Sequence, residues 1–398
     1  MTIRCLQIIT RLHSGGAEEA VLKLVQVLYK HSIICDIATG SIQNGGALQK
    51  NQLPSQCTLH HIPSLKRKIQ ALSDIQAYRS LRSLIQKQKY DIVHTHTAKA
   101  GIVGRYAAHK ASVPVVHTVH GLSFGYPPLT IIQMIFRAFE RWAGTFTNKM
   151  IFVSHACKQY YLQQKVARPQ QSSVIYVGQD LEPYRRVATA SYEQRMFARK
   201  TLGLHVDSSE IVLACIARIV KGKNLETLFT ILSRVVRRHT HLTLLLFGDG
   251  EKKYKKDLEY LAKKLGIDKY VRFMGFYSDI WKILPAIDIH CFTSLSEGLP
   301  LAVLQCSAAG IPTVCFPFHS TEEIIRNGES GYICPKNDID AYTHALCTLI
   351  ENKDMRKEFG KAAVQCARGT KNTNWEVDTY STQTIRVYND VLQSSARY

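Results

Sequence analysis

Two loops in the second half of this 398-residue chain carry side chains that suit a ligand with both phosphates and hydroxyls. In the first loop, Arg218 and Lys223 stand five residues apart, just after the apolar run 211–216. In the second, Glu297 follows the apolar run 287–292, and an apolar helical pattern comes next. Two cations and the free N–H groups at a helix start suit a diphosphate, whereas a carboxylate suits a hydroxyl.

The two loops are expected to meet at one edge of a sheet. Apolar runs alternate with helical patterns, which predicts a parallel sheet whose strand ends form the ligand-binding edge. Arg218 and Lys223 taken alone are equally well explained as two solvated charges, but the Glu297 loop at the same edge favours a joint site. Phe276 ends another strand pattern after Gly275 and is expected to flank a base.

The first half offers weaker candidates. Gly15 and Gly16 follow the first strand pattern and open a helix, where they let a backbone approach a phosphate. The third glycine of the dinucleotide fingerprint is missing, so a plain strand–helix turn is the alternative. His120 stands beside Gly121 at the end of a β-branched strand and is predicted to act as a donor or polar anchor.

Three other histidines of the first half do not predict a metal site. His94, His96 and His117 lie within strand patterns and are interpreted as structural or supporting residues. No helical His-x-x-x-His spacing or nearby carboxylate accompanies them, so no metal is expected.

Along the chain, the strand and helix patterns form two α/β halves, which are separated by a charged, weakly patterned stretch at 182–200. We predict doubly wound Rossmann-like domains at 1–185 and 186–374, followed by an amphipathic helix and tail at 375–398. Two such domains are expected to bind ligand in a cleft between the carboxyl ends of their strands.

Composition is that of an ordinary globular protein, and 398 residues exceed a typical single core. The 11 cysteines occur singly, as expected for reduced core residues of a cytosolic protein. The first residues form a strand pattern rather than a signal peptide, and no apolar run reaches about 18 residues.

The net charge of +20 is concentrated in the first half. Residues 1–190 hold 23 Lys+Arg and 8 Asp+Glu, or +15, whereas 191–398 hold 28 and 23, or +5. A solubilising surface would explain this excess, and so would an anionic partner. Cations and apolar residues at 66–68 and 129–142 predict peripheral binding to an anionic membrane surface, with a buried core helix as the alternative for 131–139. Without a recognisable nucleic-acid module, no nucleic acid is expected.

In order and spacing, these motifs resemble the GT-B fold glycosyltransferases of family 4, which are retaining enzymes that use nucleotide sugars. The resemblance extends over nearly the whole chain. The segments that carry it are 15–18, 90–105, 118–121, 153–158, 174–180, 218–223, 248–250, 294–300 and 327–331.

The resemblance implies that the helix after Trp375 crosses back to the first domain. It also implies a role for each matching residue. Arg218 and Lys223 would bind the donor diphosphate and stabilise the departing nucleotide, and Glu297 would hold a sugar hydroxyl. His120 would lie near the donor sugar. The backbone groups expected near the sugar or the phosphates are those of Gly15, Gly16, Gly298, Leu299 and Leu301.

Three positions depart from the family pattern. Gln305 stands where a second glutamate usually contacts the ribose, and it forfeits a charge-assisted bond. Pro300 replaces a frequent glycine and removes a backbone donor, and Val177 replaces a frequent asparagine. None of these positions is a predicted leaving-group cation, so an active enzyme is expected.

The implied activity is retaining transfer of a sugar from a nucleotide sugar, UDP-linked in preference to GDP-linked, to a hydroxyl of a lipid-linked or cell-envelope glycan such as lipopolysaccharide. Neither cofactor nor metal is expected, and the enzyme would work on the cytoplasmic face of the inner membrane. No second carboxylate accompanies Glu297, which argues against a covalent glycosyl-enzyme. The alternatives are a sugar-nucleotide epimerase or hydrolase of the same fold, and a non-catalytic protein that binds anions or nucleic acid.

Overall fold

The computed structural model describes residues 2–12, 15–42, 53–125, 130–205, 209–370 and 373–395. The chain divides into two compact units, the first comprising Met1–Gln179 with Trp375–Tyr398 and the second Asp180–Asn374. Each unit contains a parallel sheet with helices against it.

Within the described part of the first unit, seven strands pair in the order β3-β2-β1-β4-β5-β6-β7. The elements are β1 (Ile3–Ile9), α1 (Gly16–Tyr29), β2 (Ile33–Thr39), β3 (Leu59–His61), α2 (Ala71–Gln88), β4 (Ile92–His96), α3 (Ala98–Lys110), β5 (Val115–Val119), α4 (Ile131–Gly144), β6 (Lys149–Phe152), α5 (His155–Gln163) and β7 (Ser172–Val174). The central strands are buried along their length, as expected for a parallel sheet covered on both faces.

In the second unit, the described residues form six parallel strands in the order β10-β9-β8-β11-β12-β13. The elements are α6 (Glu182–Val187), α7 (Tyr192–Thr201), β8 (Ile211–Ile216), α8 (Leu225–Val235), β9 (Leu242–Phe247), α9 (Lys252–Lys264), β10 (Val271–Gly275), β11 (Ile289–Phe292), α10 (Leu301–Ala308), β12 (Thr313–Cys315), α11 (Thr321–Ile324), β13 (Gly331–Ile333), α12 (Ile339–Glu351) and α13 (Lys353–Ala367). The fold class is therefore the predicted one, two doubly wound α/β units.

The last helix, α14 (Val377–Ser395), belongs to the first unit, as the resemblance implies. Tyr380, Val387 and Tyr388 are buried on it and share a core with α1 and β1. Trp375, just ahead of the helix, packs edge-on against Tyr176 with ring centroids 4.5 Å apart. These contacts attach the end of the chain to the sheet of its first half.

The stretch 182–200 is not the weakly structured linker that its composition indicates. It forms α6 and α7, and α6 packs against α10 of the second unit, so the unit boundary lies at Gln179 rather than at 185. Helix α7 begins with a capping box between Ser191 and Gln194, and Arg199 anchors it by an ion pair of 3.1 Å to Asp288. Polar contacts, which an apolar pattern does not reveal, hold this segment.

Each of the 11 cysteines lies among the described residues and is a free thiol. Nine of them are buried. Across the described ranges, no helix has the length and apolar character needed to cross a bilayer.

Candidate active site

The predicted cations lie in the loop that joins β8 to α8. A short turn of 3-10 helix, Lys221–Lys223, ends at Asn224, whose φ of 55° lies in the left-handed region. This turn brings the Lys223 side chain back toward the sheet, where it is 18% exposed. Arg218 is exposed on the same loop, two residues after the end of β8.

Gly248 allows the neighbouring strand end to approach this loop closely. Its φ is +136°, and a Cβ there would lie 2.2 Å from the carbonyl oxygen of Ala217. Its N–H donates to the carbonyl of Gly275 at 2.8 Å. The ends of β8, β9 and β10 are thus held together, which positions Phe276, 42% exposed, at the same edge as Arg218.

Glu297 contacts Lys223, as the sequence suggests. Its carboxylate atom Oε1 forms an ion pair with Nζ of Lys223 and accepts a hydrogen bond from the Ser294 hydroxyl. Both ionic side chains are mostly buried, at 18% and 16% exposure, which strengthens their attraction relative to a surface pair. Oε2 of Glu297 has no hydrogen-bond partner among the described residues.

Backbone contacts fix the two loops against each other. The Thr293 hydroxyl donates to the carbonyls of Lys223 and Asn224, each at 3.1 Å. The N–H of Leu295 donates to the carbonyl of Gly222 at 3.1 Å. Thr293 and Ser294 are site residues that the sequence motifs did not predict, although hydroxyl side chains directly after a strand are a usable signal.

The other predicted donor contacts surround the start of α10. Gly298 is buried, whereas Leu299, Leu301 and Gln305 are half-buried. The first N–H groups of a helix have no partner within the helix, so this start can accept an anion. The roles of these four residues stay predictions.

In the first unit, Gly15, Gly16 and His120 lie at one edge of the sheet, because they follow β1 and β5, which flank β4. Gly16 begins α1, and the two residues before Gly15 are outside the described part of the chain. His120 is half-buried, and its Nε2 lies 3.0 Å from Nδ1 of His96. Burial lowers the pKa of His120 to about 4, so its imidazole is neutral at pH 7.

A cavity of about 740 Å³ lies at the opposite edge of the second sheet, where Ile211 begins β8 and where Asp288 and Pro312 precede β11 and β12. It contains none of the predicted site residues. Asp288 is paired there with Arg195 at 3.2 Å and with Arg199 at 3.1 Å. These contacts hold α7 to the sheet.

Metal ligation has no support from clustered side chains. Within the residues that the structure describes, no three His, Cys, Asp or Glu side chains are grouped so as to hold an ion. Independence from a metal stays a prediction.

Two family models match the chain. Residues 14–183 match "Glycosyltransferase Family 4", and residues 203–365 match "Glycosyl transferases group 1". An Escherichia coli relative, UDP-Gal:alpha-D-GlcNAc-diphosphoundecaprenol alpha-1,3-galactosyltransferase, is 31% identical over 297 residues, which is 73% of this chain and 74% of that protein. A D-inositol 3-phosphate glycosyltransferase of Kribbella flavida is 26% identical over 362 residues, covering 84% and 76%.

Solved structures share the fold. Anabaena HepE in complex with UDP and glucose superposes with a TM-score of 0.80 at 20% identity, covering 98% of this chain and 100% of that one. Sucrose-phosphate synthase from Thermosynechococcus elongatus gives 0.82 at 17% identity, covering 98% and 100%.

The two parallel-sheet units and these similarities define a GT-B glycosyltransferase. The chain belongs to glycosyltransferase family 4. It is a transferase whose relatives include enzymes of cell-envelope and capsular polysaccharide synthesis.

Proposed function

We propose that the protein transfers a sugar from a UDP-sugar, with retention and without a metal, to a hydroxyl of a lipid-linked diphosphate glycan of the cell envelope. The contact of Lys223 with Glu297, on a loop shared with Arg218, is the observation that carries the proposal. Near the ends of parallel strands, a cation of this kind suits a diphosphate and a carboxylate beside it suits a hydroxyl, which supports the proposal.

UDP is the preferred nucleotide because proteins similar to this chain use it. HepE was crystallised with UDP-glucose, and the name of the E. coli relative specifies UDP-galactose. That name also specifies a GlcNAc-diphosphoundecaprenol acceptor, which favours a lipid-linked acceptor for this chain. Gln305 keeps a carbonyl acceptor for the ribose, so UDP binding is expected to be weaker than with glutamate but not lost.

The proposed chemistry depends on electrostatic stabilisation of the leaving group. As the bond between the sugar and the phosphate breaks, Arg218 and Lys223 stabilise the charge that develops on the diphosphate. The donor phosphate oxygen takes the proton of the attacking hydroxyl on the same face of the sugar, which retains the configuration. Glu297, held by Lys223 and Ser294, offers Oε2 to a sugar hydroxyl and is not a nucleophile.

We further propose that the first unit docks on an anionic membrane. Helix α4 is not the buried core helix that was the alternative interpretation, since Ile131 is 78% and Ile132 65% exposed. Leu72, in the first turn of α2, is 85% exposed. Helix starts that follow parallel strands lie at the strands' carboxyl edge, so these apolar side chains share an edge with His120.

Charge supports the same surface. Lys66, Arg67 and Lys68 precede α2, and Arg137 and Arg141 lie on α4 among its exposed apolar residues. An apolar face flanked by cations binds anionic lipid by combining burial with electrostatic attraction. A lipid-linked acceptor would then be delivered to the edge of the sheet that carries His120.

The test combines binding with product analysis. Purified protein is expected to gain thermal stability from UDP and UDP-sugars more than from GDP-sugars, because specific ligands stabilise by mass action. With a short-chain lipid diphosphate GlcNAc acceptor, proton NMR is expected to reveal an α-linked product from an α-linked donor, unchanged by EDTA. Consumption of UDP-sugar without acceptor would favour an epimerase or hydrolase, and salt-sensitive RNA binding without nucleotide affinity would favour a non-catalytic protein.

A further inference from the structure

A continuous chain of hydrogen bonds links α14 to His120 through the interior of the first unit. The Tyr388 hydroxyl lies 3.0 Å from Nε2 of Gln7, and Oε1 of Gln7 lies 2.8 Å from Nε2 of His96. His96 Nδ1 lies 3.0 Å from Nε2 of His120. Gln7, His96 and Tyr388 are fully buried, so their polar atoms must find partners within the protein. The Tyr388 hydroxyl also lies 2.6 Å from Nδ1 of His94.

The orientation of the Gln7 amide follows from its surroundings. With Nε2 toward Tyr388, one amide hydrogen meets the tyrosine hydroxyl and the other faces Cys5 Sγ at 3.2 Å. Reversing the amide would leave its NH₂ group with His96 Nε2 as its one acceptor among the described residues, and the second hydrogen would be buried without a partner there. An unsatisfied buried donor costs about 1–3 kcal/mol, so the observed orientation is favoured.

This orientation sets the protons on both histidines. Because Oε1 of Gln7 is an acceptor, Nε2 of His96 must donate to it, which leaves Nδ1 of neutral His96 as an acceptor. His120 must then donate from Nε2, and its Nδ1 carries the lone pair. Burial lowers the pKa of both histidines below the ordinary range, so neither is charged at neutral pH.

We propose that Gln7 and Tyr388 are positioning residues that fix His120 in the Nε2–H tautomer, so that its Nδ1 accepts a hydrogen bond from a sugar hydroxyl and does not donate to a phosphate oxygen. Nδ1 has no hydrogen-bond partner among the described residues. The ligand part of this inference rests on the proposed function, whereas the tautomer does not. Helix α14 therefore supplies a side chain that sets the chemistry of a predicted catalytic residue 268 positions earlier (388 − 120).

The tautomer is measured directly by ¹⁵N–¹H correlation through the imidazole rings of ¹⁵N-histidine-labelled full-length protein, with His120→Asn used to assign the signals. The wild-type protein is expected to carry the His120 proton on Nε2 alone. In Tyr388→Phe the constraint on Gln7 is lost, and His120 is expected to populate both tautomers. Tyr380→Phe, a buried tyrosine on the same helix, is the control and should leave the spectrum unchanged.

The functional readout separates a positioning role from a folding defect. Tyr388→Phe is expected to weaken UDP-sugar binding about threefold to tenfold, which corresponds to the loss of one hydrogen bond. The affinity for UDP alone should stay within about twofold of wild type. A wild-type His120 protonated on Nδ1, or an unchanged tautomer in both Tyr388→Phe and Gln7→Leu, would overturn the inference. Wild-type protein with the Nε2–H tautomer but no sugar transfer would overturn the proposed function instead.

Discussion

At the scale of single residues, the acidic member of the site is held from two sides. Ser294 and Lys223 both contact Oε1 of Glu297, which aims Oε2 away from them. A carboxylate fixed in this way loses little conformational entropy when it accepts a hydrogen bond from a sugar hydroxyl, which makes the free energy of binding more favourable. We therefore expect Ser294 to act on donor affinity rather than on the chemical step.

The variant Ser294→Ala is expected to raise KM for the UDP-sugar about threefold to tenfold with kcat near wild type, because one hydrogen bond to the carboxylate is lost. Initial rates at varied donor concentration give both constants. Ser296→Ala, an exposed serine two residues away, serves as the matched control and should behave as wild type. A fall in kcat at unchanged KM would contradict this role for Ser294.

Local sequence identified Lys223 and Glu297 because each follows an apolar strand at a short, fixed spacing. It could not identify Gln7 and Tyr388 as partners. They are 381 residues apart, and their contact depends on where the last helix packs. The charge of a residue and its place after a strand are local properties, whereas the partner of a buried amide is set by the tertiary structure.

At the scale of elements, a buried ion pair joins α4 to α3, in addition to the packing of Phe136 on the core and a ring contact between Trp142 and Tyr106 at 5.0 Å. Of its described residues, three are buried, namely Glu140, Ala143 and Gly144. Glu140 and Arg105 of α3 are fully buried and 2.5 Å apart. This pairing holds an amphipathic helix in place while its apolar face stays in solvent.

Breaking that pair is expected to destabilise the first unit strongly. Arg105→Met leaves the Glu140 carboxylate buried without its cation, which costs about 3–5 kcal/mol, and the double variant Arg105→Met/Glu140→Leu should regain most of it. Urea unfolding followed by circular dichroism measures the difference. Equal loss in the single and double variants would mean that packing rather than charge dominates at this contact.

The apolar face of α4 is expected to bind anionic vesicles. Ile131→Glu/Ile135→Glu should reduce co-sedimentation with phosphatidylglycerol vesicles at least about tenfold at low salt, since two inserted side chains are replaced by anions. Tyr260→Glu, on an exposed aromatic of α9, is the control. Unchanged vesicle binding by the α4 variant, or none by wild type, would remove the membrane surface from the proposal.

Element prediction succeeded where apolar periodicity was strong. The pattern at 211–216 gives the bounds of β8, and the pattern at 287–292 contains β11. The apolar pattern did not predict α7, because a capping box and the buried Arg199 stabilise this helix in place of an apolar stripe.

For the whole molecule, buried neutral histidines make stability depend on pH. Burial lowers the pKa of His94 and of His290 to about 3 and that of His120 to about 4. The unfolded chain takes up protons near about pH 6.5, so it binds more protons than the native state below that value. The contribution of these histidines to stability is therefore fully present above about pH 6.5 and is lost as the pH falls toward 4.

For each such histidine, the free energy of unfolding is expected to fall by up to about 1.4 kcal/mol per pH unit in that window. Thermal unfolding at pH 7.5, 6.0 and 5.0 measures the loss, and His290→Leu should make the dependence shallower by about one proton. A melting temperature that is flat between pH 7.5 and 5.0 would contradict the burial of these imidazoles as neutral groups.

The most direct test of the central claim is the rate of sugar transfer by Lys223→Ala, measured at saturating UDP-sugar and acceptor. The claim predicts a fall in kcat of at least about 100-fold, since a cation that stabilises the leaving diphosphate is removed. Lys221→Ala, which changes an exposed lysine in the same turn, should stay within about threefold of wild type. Near-normal turnover in Lys223→Ala, or equal losses in both variants, would contradict the assignment of Lys223 to the leaving group.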